Sequence, residues 1–175
     1  NLSYDLSKLI LDRNYSLDEI KELENELQLN NPFFNNKDFL KAKNLLIKII
    51  KKKELVLVYG DYDVDGVCST AILVNFLNYI KNPNYYLIPN RFNDGYGPNL
   101  DLIKKNLKKN TKIVIFVDCG SNSSKIINFL KKNNIEVLII DHHHINNKLP
   151  STLNIINPMK NSKDYKGQNI CAAAL

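Results

Sequence analysis

The chain has 175 residues, 44% of them hydrophobic, which is enough to bury a core and fits one compact domain. Its net charge of +6 and pI near 9.1 suit a polyanionic partner, yet only Arg13 and Arg91 are arginines in a sequence rich in Lys, Asn and Ile, so charge alone is an argument about steering and solubility. No run approaches the ~20 apolar residues of a membrane span and no basic-then-apolar leader opens the chain, while three widely spaced cysteines, Cys68, Cys119 and Cys171, argue against a disulfide framework or zinc knuckle; we expect a soluble, cytoplasmic protein whose cysteines are small buried side chains.

The first fifty residues read as helical. Ser16–Glu19 has the spacing of a capping box, Leu40–Ile50 carries apolar residues at helical intervals, and Pro32 interrupts the pattern. From Glu54 the pattern changes to short β-branched runs alternating with loops and amphipathic segments. Strands are predicted over Leu55–Tyr59, Tyr85–Ile88, Ile113–Val117 and Val137–Ile140, with a fifth at Leu153–Ile156. Helices are predicted over Val67–Ile80, Asn99–Leu107 and Ser121–Lys131. The expectation is an α/β fold, a mainly parallel five-stranded sheet flanked by helices and joined by right-handed crossovers, preceded by a short helical N-terminal segment. We divide the chain into a helical lead over 1–53 and a catalytic domain over 54–175. Asn1 in place of Met, and the apolar run Asn169–Leu175 that breaks off as if opening a helix, lead us to expect a fragment.

In such sheets ligands bind beyond the carboxyl ends of the strands, and there the acidic residues gather. Strand one runs into Gly60-Asp61-Tyr62-Asp63-Val64-Asp65-Gly66, strand three into Asp118-Cys119-Gly120, and strand four into Asp141-His142-His143-His144. An isolated Asp at a strand end is ordinarily a cap or turn former. Three acidic or His-rich loops at strand ends of one sheet are not explained that way, because converging carboxylates repel unless a cation intervenes. Oxygen ligands with one or two imidazoles suit Mn²⁺ or Mg²⁺ better than zinc. Asp-His-His after a buried strand supplies ring nitrogens and an orienting carboxylate together. Alternation along an extended loop would put Asp61, Asp63 and Asp65 on one side, without deciding which of them face inward. Gly66 and Gly120 are each expected to open a helix, where the missing Cβ lets a phosphate approach backbone N–H groups. No G-x-G-x-x-G or Walker lysine motif is present, which disfavours a dinucleotide-binding domain.

Asp141-His142-His143 resembles the signature of the DHH phosphoesterase family, and further segments resemble its RecJ group of single-strand exonucleases. These are Val58–Val67, Asn90-Arg-Phe-Asn-Asp-Gly-Tyr-Gly97, Phe116–Gly120, Ile155-Ile-Asn-Pro158 and Asn169–Ala173. The resemblance implies a metal-dependent 5′-to-3′ exonuclease hydrolysing single-stranded DNA in repair and recombination, with two Mn²⁺ or Mg²⁺ ions. Asp63 and Asp65 would bind metal, with Asp61 a further candidate; Asp118 would bridge both ions and His142 would complete the set. His143 would contact the scissile phosphate and Asp141 would orient the imidazoles. Arg91 would steady a substrate phosphate through its fork of donors, with a surface salt bridge as its competing role, and Gly120 would line the substrate. The alternatives are a family member acting on short oligoribonucleotides or nucleotide phosphates, or a truncated binding fragment without turnover. Tyr59 stands where many members of the wider family have a metal-binding His, and His144 is an unassigned third histidine. A final Asp and the DHHA1-type domain of the family would lie beyond Leu175.

Overall fold

The structure is a computed structural model and describes residues 3–16, 36–95, 97–146, 153–160 and 170–175. The chain divides into two compact units, Asn1–Asn31 and Pro32–Leu175. In the first unit, helix α1 spans Tyr4–Asp12. The Ser16–Glu19 capping box runs past the described residues, and Pro32 lies outside them.

The second unit begins with helix α2, Lys37–Lys51, started by Asn36, whose side chain accepts the Phe39 N–H at 2.9 Å. Its apolar stripe buries Ala42, Leu45 and Ile49. There follow β1 (Leu55–Gly60), α3 (Val64–Tyr79), β2 (Asn84–Leu87), α4 (Leu100–Asn106), β3 (Thr111–Val117), α5 (Ser124–Lys132), β4 (Glu136–Ile140) and β5 (Asn154–Ile156). The five strands form one parallel sheet in the order β2-β1-β3-β4-β5, as the alternation of apolar strands with helices led us to expect.

Both faces of the sheet are covered. Val56, Val58, Ile113, Ile115 and Leu138 pack with α2 and with Leu77 of α3. Leu57, Tyr59, Val114, Phe116, Val137 and Ile139 pack with Ile103 of α4 and Ile126, Ile127 and Leu130 of α5. The chain moves one way from β1 to β2 with α3 on one face, then back through β3 to β4 with α4 and α5 on the other; a constant crossover hand requires that exchange of faces. The reversal leaves a crevice beyond the ends of β1 and β3, the switch point where ligands bind in sheets of this order.

Strand boundaries fall within two residues of those expected, but α3 starts at Val64 rather than Val67. Asp63 causes this: its side chain accepts the Gly66 N–H at 2.9 Å and caps the helix. The alternation expected for Asp61, Asp63 and Asp65 therefore fails after Asp63, because Asp65 lies in the first helical turn. Of the cysteines only Cys119 is buried; Cys68 and Cys171 are exposed, Cys68 because it faces outward from α3.

Candidate metal centre

Register places the carboxylates. Gly60 pairs with Val117 and Val117 with Ile140, so Asp61, Asp118 and Asp141 each follow the same row across three strands. The row is tied by backbone bonds, Asp118 N–H to the Ile140 carbonyl at 2.9 Å and Asp141 N–H to the Ile156 carbonyl at 3.0 Å. All three carboxylates are buried. Asp118 turns away from its strand with φ +59°, a left-handed conformation in which a β-carbon is strained.

Two donor groups share Asp118. One joins it to His142 and His143, the other to Asp61 and Asp63, and within each the ligand atoms lie within 4.8 Å of one another. His142 Nε2 is 3.1 Å from Asp118 Oδ1 and 3.5 Å from Asp65 Oδ2. His143 Nδ1 is 2.8 Å from Asp141 Oδ1 and 4.0 Å from Asp118 Oδ1. Asp141 also accepts the backbone N–H groups of His142, His143 and Ser121, so it fixes the histidine loop and the His143 ring together.

The electrostatics single out Asp118. It is 1% exposed, and neither carboxylate oxygen has a well-oriented hydrogen-bond donor among the described residues. Burial, then the charge of Asp65 and the nearby Asp63 and Asp141 carboxylates, pushes it up to about 8. Burial likewise raises Asp61. Burial acts upward on Asp141 too, but the bonds from Ser121 and His143 outweigh it and hold Asp141 below the ordinary value. A buried carboxylate with two unsatisfied oxygens, shared between two sets of oxygen and nitrogen donors, fits a divalent cation on either side.

The remaining candidates occupy varied places. Asp65 has both oxygens on backbone N–H groups, Ala172 at 2.8 Å and Ala173 at 2.9 Å, across more than a hundred residues of sequence. It stands outside both donor groups of the described residues. Gly66 does not offer its missing Cβ to a ligand: a Cβ there would sit 2.5 Å from the Asp61 carbonyl oxygen, so the close approach is between backbones. Gly120, with φ +105°, precedes the start of α5 by four residues rather than opening it, and its missing Cβ faces the Phe116 ring instead of a ligand; its backbone lines, with Asp61, Pro98, Asp118 and His143, a cavity of about 190 Å³. Arg91 is exposed, makes no ion pair with the described residues, and lies with Cζ 5.5 Å from the centre of the Tyr62 ring. His144 is exposed, with its carbonyl accepting from Asn122 at 2.8 Å.

Two residues escaped sequence reasoning. Asn157, fully buried, donates to Ser121 Oγ at 2.8 Å and to the His143 carbonyl at 3.0 Å, bracing the histidine loop from β5. Asn122 holds the same loop further on, accepting from Asn146 at 2.8 Å. The Ile-Asn-Pro motif was the one signal for Asn157; Asn122 carried none. Tyr59, at the end of β1, is buried with its hydroxyl accepting the Asn99 N–H at 3.1 Å. Burial pushes it up to about 12, so it remains a neutral phenol.

The model of the DHH family N-terminal domain matches residues 55–175. The single-stranded-DNA-specific exonuclease RecJ of Haemophilus influenzae is 36% identical over 118 residues, 67% of this chain and 20% of that protein. That of Bacillus subtilis is 30% identical over 132 residues, 75% of this chain and 17% of that protein. A crystal structure of exonuclease RecJ bound to manganese aligns with a TM-score of 0.70 at 29% identity, covering 83% of this chain and 37% of that one. The chain thus spans about a fifth of the length of these curated relatives.

Proposed function

The chain belongs to the DHH family, and from that premise we propose that it is the catalytic portion of a metal-dependent exonuclease that hydrolyses single-stranded DNA from the 5′ end. The observation that carries this reading is Asp118, buried with no well-oriented hydrogen-bond donor among the described residues and common to both donor groups at the switch point of the sheet. Two divalent ions, Mn²⁺ or Mg²⁺, would activate a water and stabilise the leaving oxygen of a phosphodiester.

In this reading Asp118 would serve both metal positions, since it belongs to both donor groups. Asp63, with Asp61 behind it, serves one side and His142 the other. Asp65 joins them through lone pairs that its two backbone bonds leave free, since each carboxylate oxygen carries two. His143, its Nδ1 engaged by Asp141, would be left with Nε2 for the scissile phosphate, and Asp141 would hold the ring in the tautomer protonated on Nδ1. Arg91 steadies a phosphate from the rim, and Gly120 lines the cavity with its backbone. We place the activity in DNA repair and recombination in the cytoplasm, and the division into a lead over 1–53 and a catalytic domain over 54–175 belongs to the same proposal.

The test is hydrolysis of a labelled single-stranded DNA in Mn²⁺ by the native protein and its Asp118→Ala variant. Release of mononucleotides from the 5′ end, lost in the variant, supports the assignment. Cleavage confined to nucleotides or dimers, with long strands left intact, would replace it with the short-substrate reading.

A further inference from the structure

We propose that Tyr59 is a positioning residue whose hydroxyl, acting through Asn99, holds the turn that presents Arg91 over Tyr62 of the acidic loop. The inference rests on the reading of Arg91 as a substrate contact and assigns the buried tyrosine a task of its own.

The path can be followed bond by bond. Tyr59 is the penultimate residue of β1, fully buried, with its ring 5.5 Å from that of Phe116. Packing fixes the ring, so the hydroxyl is a fixed acceptor, and it takes the Asn99 N–H at 3.1 Å. Asn99 then works in two directions. Its Oδ1 accepts from Asp101 and Leu102 at 2.9 and 3.0 Å and starts α4, while its Nδ2 donates to the Asp94 carbonyl at 2.9 Å.

Asp94 closes the turn over residues 90–94. Its Oδ2 accepts the Asn90 N–H at 2.7 Å and its own N–H returns to the Asn90 carbonyl at 2.8 Å. Asn90 Oδ1 accepts from Phe92 at 2.9 Å and Asn93 at 3.3 Å. The turn is therefore internally rigid, and through Asn99 its orientation is referred to the end of β1. Arg91 sits at its apex with the guanidinium over Tyr62, the residue between Asp61 and Asp63. One strand end thus sets both the acidic loop and the distance at which the cation stands from it. A histidine at position 59 would carry no hydroxyl to accept from Asn99.

Tyr59→Phe in the native protein removes one oxygen and keeps the packed ring. Loss of a single neutral hydrogen bond is expected to raise KM for a single-stranded oligonucleotide roughly 3- to 10-fold. The Mn²⁺ affinity measured by calorimetry and kcat are expected to stay at their native values, and amide exchange at Asn99 and residues 90–94 to accelerate. In an Arg91→Ala background the same change should raise KM no further, because the tyrosine acts through the arginine. Penalties that multiply, a loss of Mn²⁺ affinity, or an unchanged KM would overturn the proposal. The exchange arm is independent of substrate: a native protein that leaves single strands intact refutes the nuclease reading, whereas unchanged exchange in Tyr59→Phe refutes the role of Tyr59 even in an active enzyme.

Discussion

Asp118→Asn keeps the shape of the side chain and deletes its charge, which makes it the sharpest probe of the carboxylate cluster. Burial and its acidic neighbours push Asp118 up to about 8 from an ordinary value of 3.8. An acid whose folded value is raised binds its proton more tightly in the folded state. Its contribution to stability is therefore fully present below pH 3.8 and is lost as the pH rises towards 8 in the absence of metal. At about 1.4 kcal/mol for each pH unit, that rise from 3.8 to about 8 sets a ceiling on the order of 6 kcal/mol. The assay is denaturant unfolding of the metal-stripped protein at about pH 5 and about pH 8, on either side of most of that titration. The native protein should lose stability between the two, and Asp118→Asn should be the more stable of the pair at the higher pH. Mn²⁺ at a hundred times its dissociation constant should then restore about 2.7 kcal/mol to the native protein and nothing to the variant. A variant less stable than the native protein at about pH 8 without metal would refute the view that repulsion and burial dominate at this position.

Three further outcomes follow from the same geometry. Gly66→Ala, which drives a Cβ to 2.5 Å from the Asp61 carbonyl oxygen, should destabilise the acidic loop by about 3 kcal/mol and abolish Mn²⁺ binding by calorimetry. Asp141→Asn, which weakens the acceptor for His143 Nδ1 and three backbone N–H groups, should lower kcat or metal affinity about 10- to 100-fold. Because Asp141 is held below its ordinary value, its contribution to stability has the opposite sign to that of Asp118, present above that value and lost as the pH falls through the folded one. Asn157→Ala strips donors from Ser121 and the His143 carbonyl and should cost about 2 kcal/mol of stability, read from denaturant midpoints, with a matching fall in activity that Asn157→Asp does not rescue.

Local pattern made the strands and their acidic ends legible. β-branched runs from Leu55, Ile113 and Val137 end at the very residues where Asp61, Asp118 and Asp141 begin, because a buried parallel strand must be apolar until it leaves the sheet. The Asp-His-His run was legible for its rarity after such a strand. What escaped depends on partners distant in sequence. Asp65 meets Ala172 and Ala173, Asn157 meets Ser121 and His143, and Tyr59 meets Asn99; no spacing rule announces bonds that exist only once the sheet is assembled. The start of α3 was misplaced for a subtler reason. Asp63 has a strong capping propensity, but its place in an acidic loop invited a purely chemical interpretation of a residue that also shapes the backbone.

The row of Asp61, Asp118 and Asp141 makes the strand register itself a chemical quantity. A slip of one residue in β1, β3 or β4 would move its carboxylate by about 3.3 Å and turn it to the opposite face of the sheet. Hydrophobic packing would penalise such a slip on both faces, and the two donor groups, which together draw on all three loops, would come apart. Cation binding during refolding should accordingly act as a proofreader, drawing the population toward the one alignment that can hold it and leaving misaligned chains to unfold and try again.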